Sequence, residues 1–137
     1  MIKGVEHVGI FVRDLDAAIE NYASRLGIKP RVVEDLMVDG GLARLAFLPA
    51  GETDIELIQA EGAAPGADVL NDRPAALHHI ALEVDDLEAM VKELQSKGVK
   101  FLTDGVLNGS RGTRVIFFQP EEFNGIAVEL VEKAQGL

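Results

Sequence analysis

The chain has 137 residues, of which 47% are hydrophobic and 26% charged, with a formal net charge of −10 and no cysteine. That suffices for one domain or for two small modules sharing a core. It excludes a disulfide framework, a thiol nucleophile, a cysteine-ligated metal and a general nucleic-acid binder, which needs a basic face. Met1 to His7 has no apolar secretory core, and no apolar run reaches the ~18 residues of a membrane span, so a cytoplasmic protein without membrane association is expected. A first strand is predicted near 4–12, because Val8, Ile10 and Val12 alternate with their neighbours. A helix follows over 15–26, where Leu15, Ile19, Tyr22 and Leu26 recur at helical spacing, with Asp14 as its N-cap and Gly27 as its stop. Strands are predicted next near 28–38, 42–48 and 53–59, turned by Gly40-Gly41 and by Gly51-Glu52-Thr53. Small and polar residues from Ala60 to Gly66 open a linker of about 61–76. The second half predicts a strand near 77–84 and a helix over 87–97, with Asp86 as N-cap and Gly98 as stop. Strands follow near 99–103, 113–118 and 126–132, with a glycine-bearing loop at 104–112.

The two halves repeat one another. His7 aligns with His79, Asp14 with Asp86 and Leu15 with Leu87. Gly27 aligns with Gly98, Phe47-Leu48-Pro49 with Phe118-Gln119-Pro120, and Ile55-Glu56-Leu57 with Val128-Glu129-Leu130. Each half is βαβββ. Repeat 1 covers about 1–60 and repeat 2 about 77–137, together one domain. A module this small cannot cover both faces of its own sheet. The expected fold is therefore α+β, with two βαβββ repeats forming an open eight-stranded barrel-like sheet and the helices on its outer face.

Two histidines and two glutamates carry the chemistry. His7 and His79 stand out of phase with the apolar residues of their strands, as do Glu56 and Glu129 with Ile55, Leu57, Val128 and Leu130. If those neighbours face the helices, all four polar side chains face the other way, and twofold pseudosymmetry would gather them. Two imidazoles and two carboxylates suit a divalent ion such as Co, Zn, Ni or Mn, with coordination positions left open. A cation also offsets the cost of burying two ionised glutamates. His78 lies in the opposite strand phase, which assigns it a structural or supporting place. Arg111 and Arg114, flanking Gly112, are candidates to meet a substrate carboxylate or phosphate.

The chain resembles the vicinal oxygen chelate superfamily (glyoxalase I, bleomycin-resistance proteins, extradiol dioxygenases) over nearly its whole length. The resemblance lies in His7-Val8-Gly9-Ile10 with Asp14-Leu15-Asp16-Ala17-Ala18, and in Leu77-His78-His79-Ile80-Ala81 running into Val84-Asp85-Asp86-Leu87. It continues in Gly112 with Val115-Ile116-Phe117 and Pro120, and in Gly125-Ile126-Ala127-Val128-Glu129-Leu130. The double histidine and the 109–120 segment look most like the methylmalonyl-CoA epimerase family. The resemblance implies metal ligation by His7, Glu56, His79 and Glu129, with Glu129 and Glu56 as the acid/base groups. It implies inversion of C2 of an acyl-CoA through an enolate stabilised by the metal, and a homodimer. The alternatives are a glyoxalase I-like lyase acting on a glutathione thioadduct and a binding protein of the same fold. The sequence departs from the epimerase pattern at Gln119, where histidine is common, and at Arg44, where some members carry a carboxylate. Its acidity would also repel a polyanionic carrier unless bases cluster locally, through Arg44, Arg73, Arg111 or Arg114.

Overall fold

A computed structural model describes residues 1–38, 40–62, 64, 66 and 68–134. Ala63, Pro65 and Ala67 of the expected linker, and residues 135–137 at the end of the second repeat, lie outside the described residues. In chain order the elements are β1 (Ile2–Val12), α1 (Leu15–Leu26), β2 (Val32–Val38), β3 (Gly41–Ala50), β4 (Thr53–Gly62), β5 (Ala75–Val84), α2 (Leu87–Ser96), β6 (Leu107–Asn108), β7 (Arg114–Phe117) and β8 (Ala127–Glu132). Short 3₁₀ turns occupy Ser110–Gly112 and Pro120–Phe123. The fold is α+β, with the βαβββ order present twice. The chain divides into two compact units, one of residues 7–78 and one of residues 1–6 with 79–137.

In the 7–78 unit β1 pairs in parallel with β4, which pairs antiparallel with β3, which pairs antiparallel with β2. Val12, Leu15, Ala46, Leu48 and Leu57 pack with Ile19 and Tyr22 on the face that α1 covers. Phe11, Ala43, Leu45, Phe47 and Ile58 form a second apolar cluster. The strand alternation puts these on the opposite face. In the other unit β5 pairs in parallel with β8, β8 antiparallel with β7, and β7 with β6. Val84, Leu87, Val91, Ile116, Phe118, Val128 and Leu130 make its core. Each fully buried side chain of this size contributes roughly 1.5–3 kcal/mol of hydrophobic stabilisation.

The helix ends follow the sequence rules. The Asp14 carboxylate accepts the Ala17 N–H at 3.0 Å and Asp86 accepts that of Ala89 at 3.1 Å. Gly27 is left-handed at φ 69°, which ends α1 without a Cβ penalty. A second device escapes any local reading. Gln59 near the end of β4 accepts the Leu15 N–H at 2.7 Å, and Glu132 at the end of β8 accepts the Leu87 N–H at 2.8 Å. The last strand of each repeat thus satisfies a donor at the start of its own helix.

The structure corrects three expectations. Residues 28–31 precede β2 rather than beginning it. Residues 99–103 are not a strand: Phe101 makes a single bridge with Phe118, and β6 lies at Leu107–Asn108. Both segments hold on to the sheet by isolated hydrogen bonds, with Arg31 N–H donating to the Phe47 carbonyl and Leu102 N–H to that of Phe117, each at 2.8 Å. Those two bonds carry the third correction. They make Phe117, not Phe118, the counterpart of Phe47. The aligned Phe-x-Pro strings are one residue out of structural register, and a one-residue slip moves a side chain to the other face of a sheet. Phe118 packs under α2, as Leu48 does under α1.

Candidate metal and acid–base site

In the 7–78 unit, His7 on β1 and Glu56 on β4 are both buried, with His7 Nε2 3.2 Å from Glu56 Oε1. The parallel register sets Gly9 opposite Glu56, and the antiparallel register sets Phe47 opposite it on the other side. Phe47 meets the His7 ring edge-on at 5.8 Å. In the other unit, His79 on β5 and Glu129 on β8 are likewise buried, with His79 Nε2 3.6 Å from Glu129 Oε1. Ala81 lies opposite Glu129 on one side and Phe117 on the other, and Phe117 meets the His79 ring edge-on at 5.3 Å. Each half therefore builds the same device. A first-strand imidazole meets a last-strand carboxylate, a small residue stands in register beside the carboxylate, and a phenylalanine meets the ring edge-on. Sequence reading singled out the same imidazoles and carboxylates as candidates. It gave no role to Gly9 and Ala81, which already align with each other beside the histidines, and it paired Phe47 with Phe118 rather than Phe117.

The donor chemistry fits a divalent ion. Two ligand atoms each ~2.1 Å from one cation stand roughly 3.0–3.4 Å apart at octahedral or tetrahedral angles. Both imidazole–carboxylate separations are close to that range. His78 stays out of the set: its ring packs edge-on against Phe11 at 4.8 Å.

The other candidates are engaged elsewhere. Arg111 forms a two-pronged pair with Glu6, Nη1 to Oε2 at 3.1 Å and Nη2 to Oε1 at 2.9 Å. The two side chains are only 18% and 2% exposed, so Arg111 is not a solvated surface base. Its backbone is left-handed at φ 56°, uncommon for a residue with a side chain. Gly112 beside it is also left-handed at φ 71°. The fork grips Glu6, the residue before His7. Removing one partner of a buried, two-pronged ion pair typically costs about 3–5 kcal/mol. Arg111→Ala is expected to lose that much stability by urea denaturation, and a loss below about 1 kcal/mol would contradict the burial argument.

Arg114 pairs with Glu88 at the start of α2. Arg44 pairs with Asp35 across β2 and β3 at 3.3 Å. It alternates with Ala43 and Leu45, so it lies on the face away from His7 and Glu56. The Gln119 side chain donates to the Phe101 carbonyl at 3.4 Å. No helix among the described residues is long and apolar enough to cross a membrane.

A duplicated βαβββ chain with one imidazole–carboxylate pair in each half defines a class, and comparison with known families agrees. The Glyoxalase/Bleomycin resistance protein/Dioxygenase superfamily profile matches residues 6–117, and the chain belongs to that superfamily. Within it, the chain is 37% identical to the ethylmalonyl-CoA/methylmalonyl-CoA epimerase of Cereibacter sphaeroides, over 95% of this chain and 98% of that one. Among solved structures it is similar to the methylmalonyl-CoA epimerase of Mycobacterium tuberculosis, with TM-score 0.84, 33% identity, and coverage of 98% of this chain and 90% of that one. It is also similar to a variant of the Streptomyces coelicolor methylmalonyl-CoA epimerase in complex with 2-nitronate-propionyl-CoA, with TM-score 0.83, 28% identity, and coverage of 98% and 100%.

Proposed function

We propose that this chain is a metal-dependent epimerase that inverts C2 of methylmalonyl-CoA. In this reading His7, Glu56, His79 and Glu129 hold one divalent cation. The observation that carries it is the pair of buried imidazole–carboxylate contacts, 3.2 Å in one half and 3.6 Å in the other, built from equivalent strands. The epimerase relatives supply the substrate class.

The C2 proton lies between a thioester and a carboxylate, so its removal gives a stabilised enolate. The cation supplies positive charge where the negative charge of that enolate develops. Inversion then needs one proton carrier on each face of the planar intermediate. Glu129 takes or returns the proton on one face and Glu56 on the other. Gly9 and Ala81 leave each carboxylate space to move, and the phenylalanines hold the imidazoles still while it does so.

The direct test is turnover by metal-loaded protein in deuterated water. Methylmalonyl-CoA is expected to gain deuterium at C2 and lose its stereochemistry. A methylglyoxal–glutathione hemithioacetal is the rival substrate; turnover of it alone would replace this reading with a lyase.

A further inference from the structure

We infer that Arg31, anchored by buried Asp54, receives an anionic group of the thioester substrate. This deepens the epimerase reading and rests on it.

The duplication itself points there. Arg31 and Leu102 are structural equivalents, because their N–H groups donate to the carbonyls of Phe47 and Phe117. Asp54 and Ala127 are equivalents too, because they stand in register with His7 and His79. Repeat 1 therefore has an arginine and an aspartate where repeat 2 has a leucine and an alanine. The four candidate ligands are symmetric between the repeats, and this pair is not. A metal set needs no such asymmetry. A substrate with negative charge at one end does.

The pair has the form of a presented cation. Arg31 Nη2 donates to Asp54 Oδ1 at 3.0 Å. The Arg31 side chain is 57% exposed, whereas that of Asp54 is 6% exposed. A buried carboxylate thus aims an exposed guanidinium, and the remaining N–H donors have no acceptor among the described residues. Asp54 alternates with Glu56 on β4, so both lie on the face of His7, about 7 Å apart along the strand. The arginines expected to receive a polyanion are engaged instead: Arg44 with Asp35, Arg73 with the Val69 and Leu70 carbonyls, Arg111 with Glu6 and Arg114 with Glu88. Arg31 resolves how so acidic a chain meets an acidic substrate. The anion is the acyl carboxylate or a carrier phosphate, and guanidinium binds either through paired charge-assisted hydrogen bonds.

The test uses Arg31→Leu with Asp54→Ala, the pair that repeat 2 already has. It removes both charges together, so no buried carboxylate is left alone. Binding to metal-loaded protein is measured by calorimetry with methylmalonyl-CoA, with methylmalonyl-pantetheine, which lacks the carrier phosphates, and with propionyl-CoA, which lacks the acyl carboxylate. Methylmalonyl-CoA is expected to bind about 10- to 100-fold more weakly than to wild type, and Arg31→Lys to recover part of the loss. If the weakening persists with the pantetheine thioester and vanishes with propionyl-CoA, the anion is the acyl carboxylate. The reverse pattern makes it a phosphate. Affinities within about threefold of wild type for all three ligands would overturn the inference. Wild-type protein that binds these thioesters through Arg31 without epimerising them would overturn the epimerase reading and leave the anion site standing.

Discussion

Glu129→Gln is expected to slow epimerisation by about 10²–10⁴-fold, the usual contribution of a positioned general acid or base. The amide keeps a carbonyl oxygen where the carboxylate oxygen was, so it can still serve as a ligand, but it cannot accept the C2 proton. Metal content should therefore stay near that of wild type while turnover falls. The two substrate isomers separate the roles further. Only the isomer whose C2 proton faces Glu56 should still exchange it with deuterated water, and that exchange should no longer lead to inversion. Interconversion within a few-fold of wild type would remove Glu129 from proton transfer. The carboxylate is buried beside His79, with Ala81 and Phe117 as its register neighbours, so the conservative amide fits the same space.

His79→Ala should give the complementary result. Outer partners of a metal site typically contribute 10–100-fold in affinity, and loss of a direct imidazole ligand is expected to exceed about 100-fold. The variant should lose its metal on dialysis, and its activity with it. Its melting temperature should no longer rise when metal is added, because a cation stabilises the fold only where the fold binds it. Phe117 would lose its edge-on partner, a packing change that should leave the fold intact. Stoichiometric metal in the purified variant would exclude His79 as a ligand. Together the variants divide the site: one loses chemistry and keeps the ion, the other loses both.

Much of the fold was legible because it rests on periodicity. Alternation placed β1, β5, β4 and β8, and the 3.6-residue spacing of Leu15, Ile19 and Tyr22 placed α1. Asp14 and Asp86 cap as their residue type dictates. The imidazole–carboxylate pairs were legible for the same reason, since a polar residue out of phase with apolar neighbours identifies the face it occupies. Segments 28–31 and 99–103 misled because each runs beside the sheet yet bonds to it at isolated points rather than through a ladder.

By itself the sequence determined which side chains share a strand face, because that depends only on residues two apart. It thereby marked out His7, Glu56, His79 and Glu129 as the candidate donors, and the absence of cysteine confines any metal to nitrogen and oxygen ligands. Tertiary structure alone decided what those side chains meet. It set Phe117 rather than Phe118 against His79, joined Arg111 to Glu6 across 105 positions of sequence, and brought Arg31 to Asp54. The physical reason is one of range. Strand phase is a local property of the backbone, whereas register and ion pairing are fixed only when distant segments dock, and a single-residue slip there reverses which face a side chain serves.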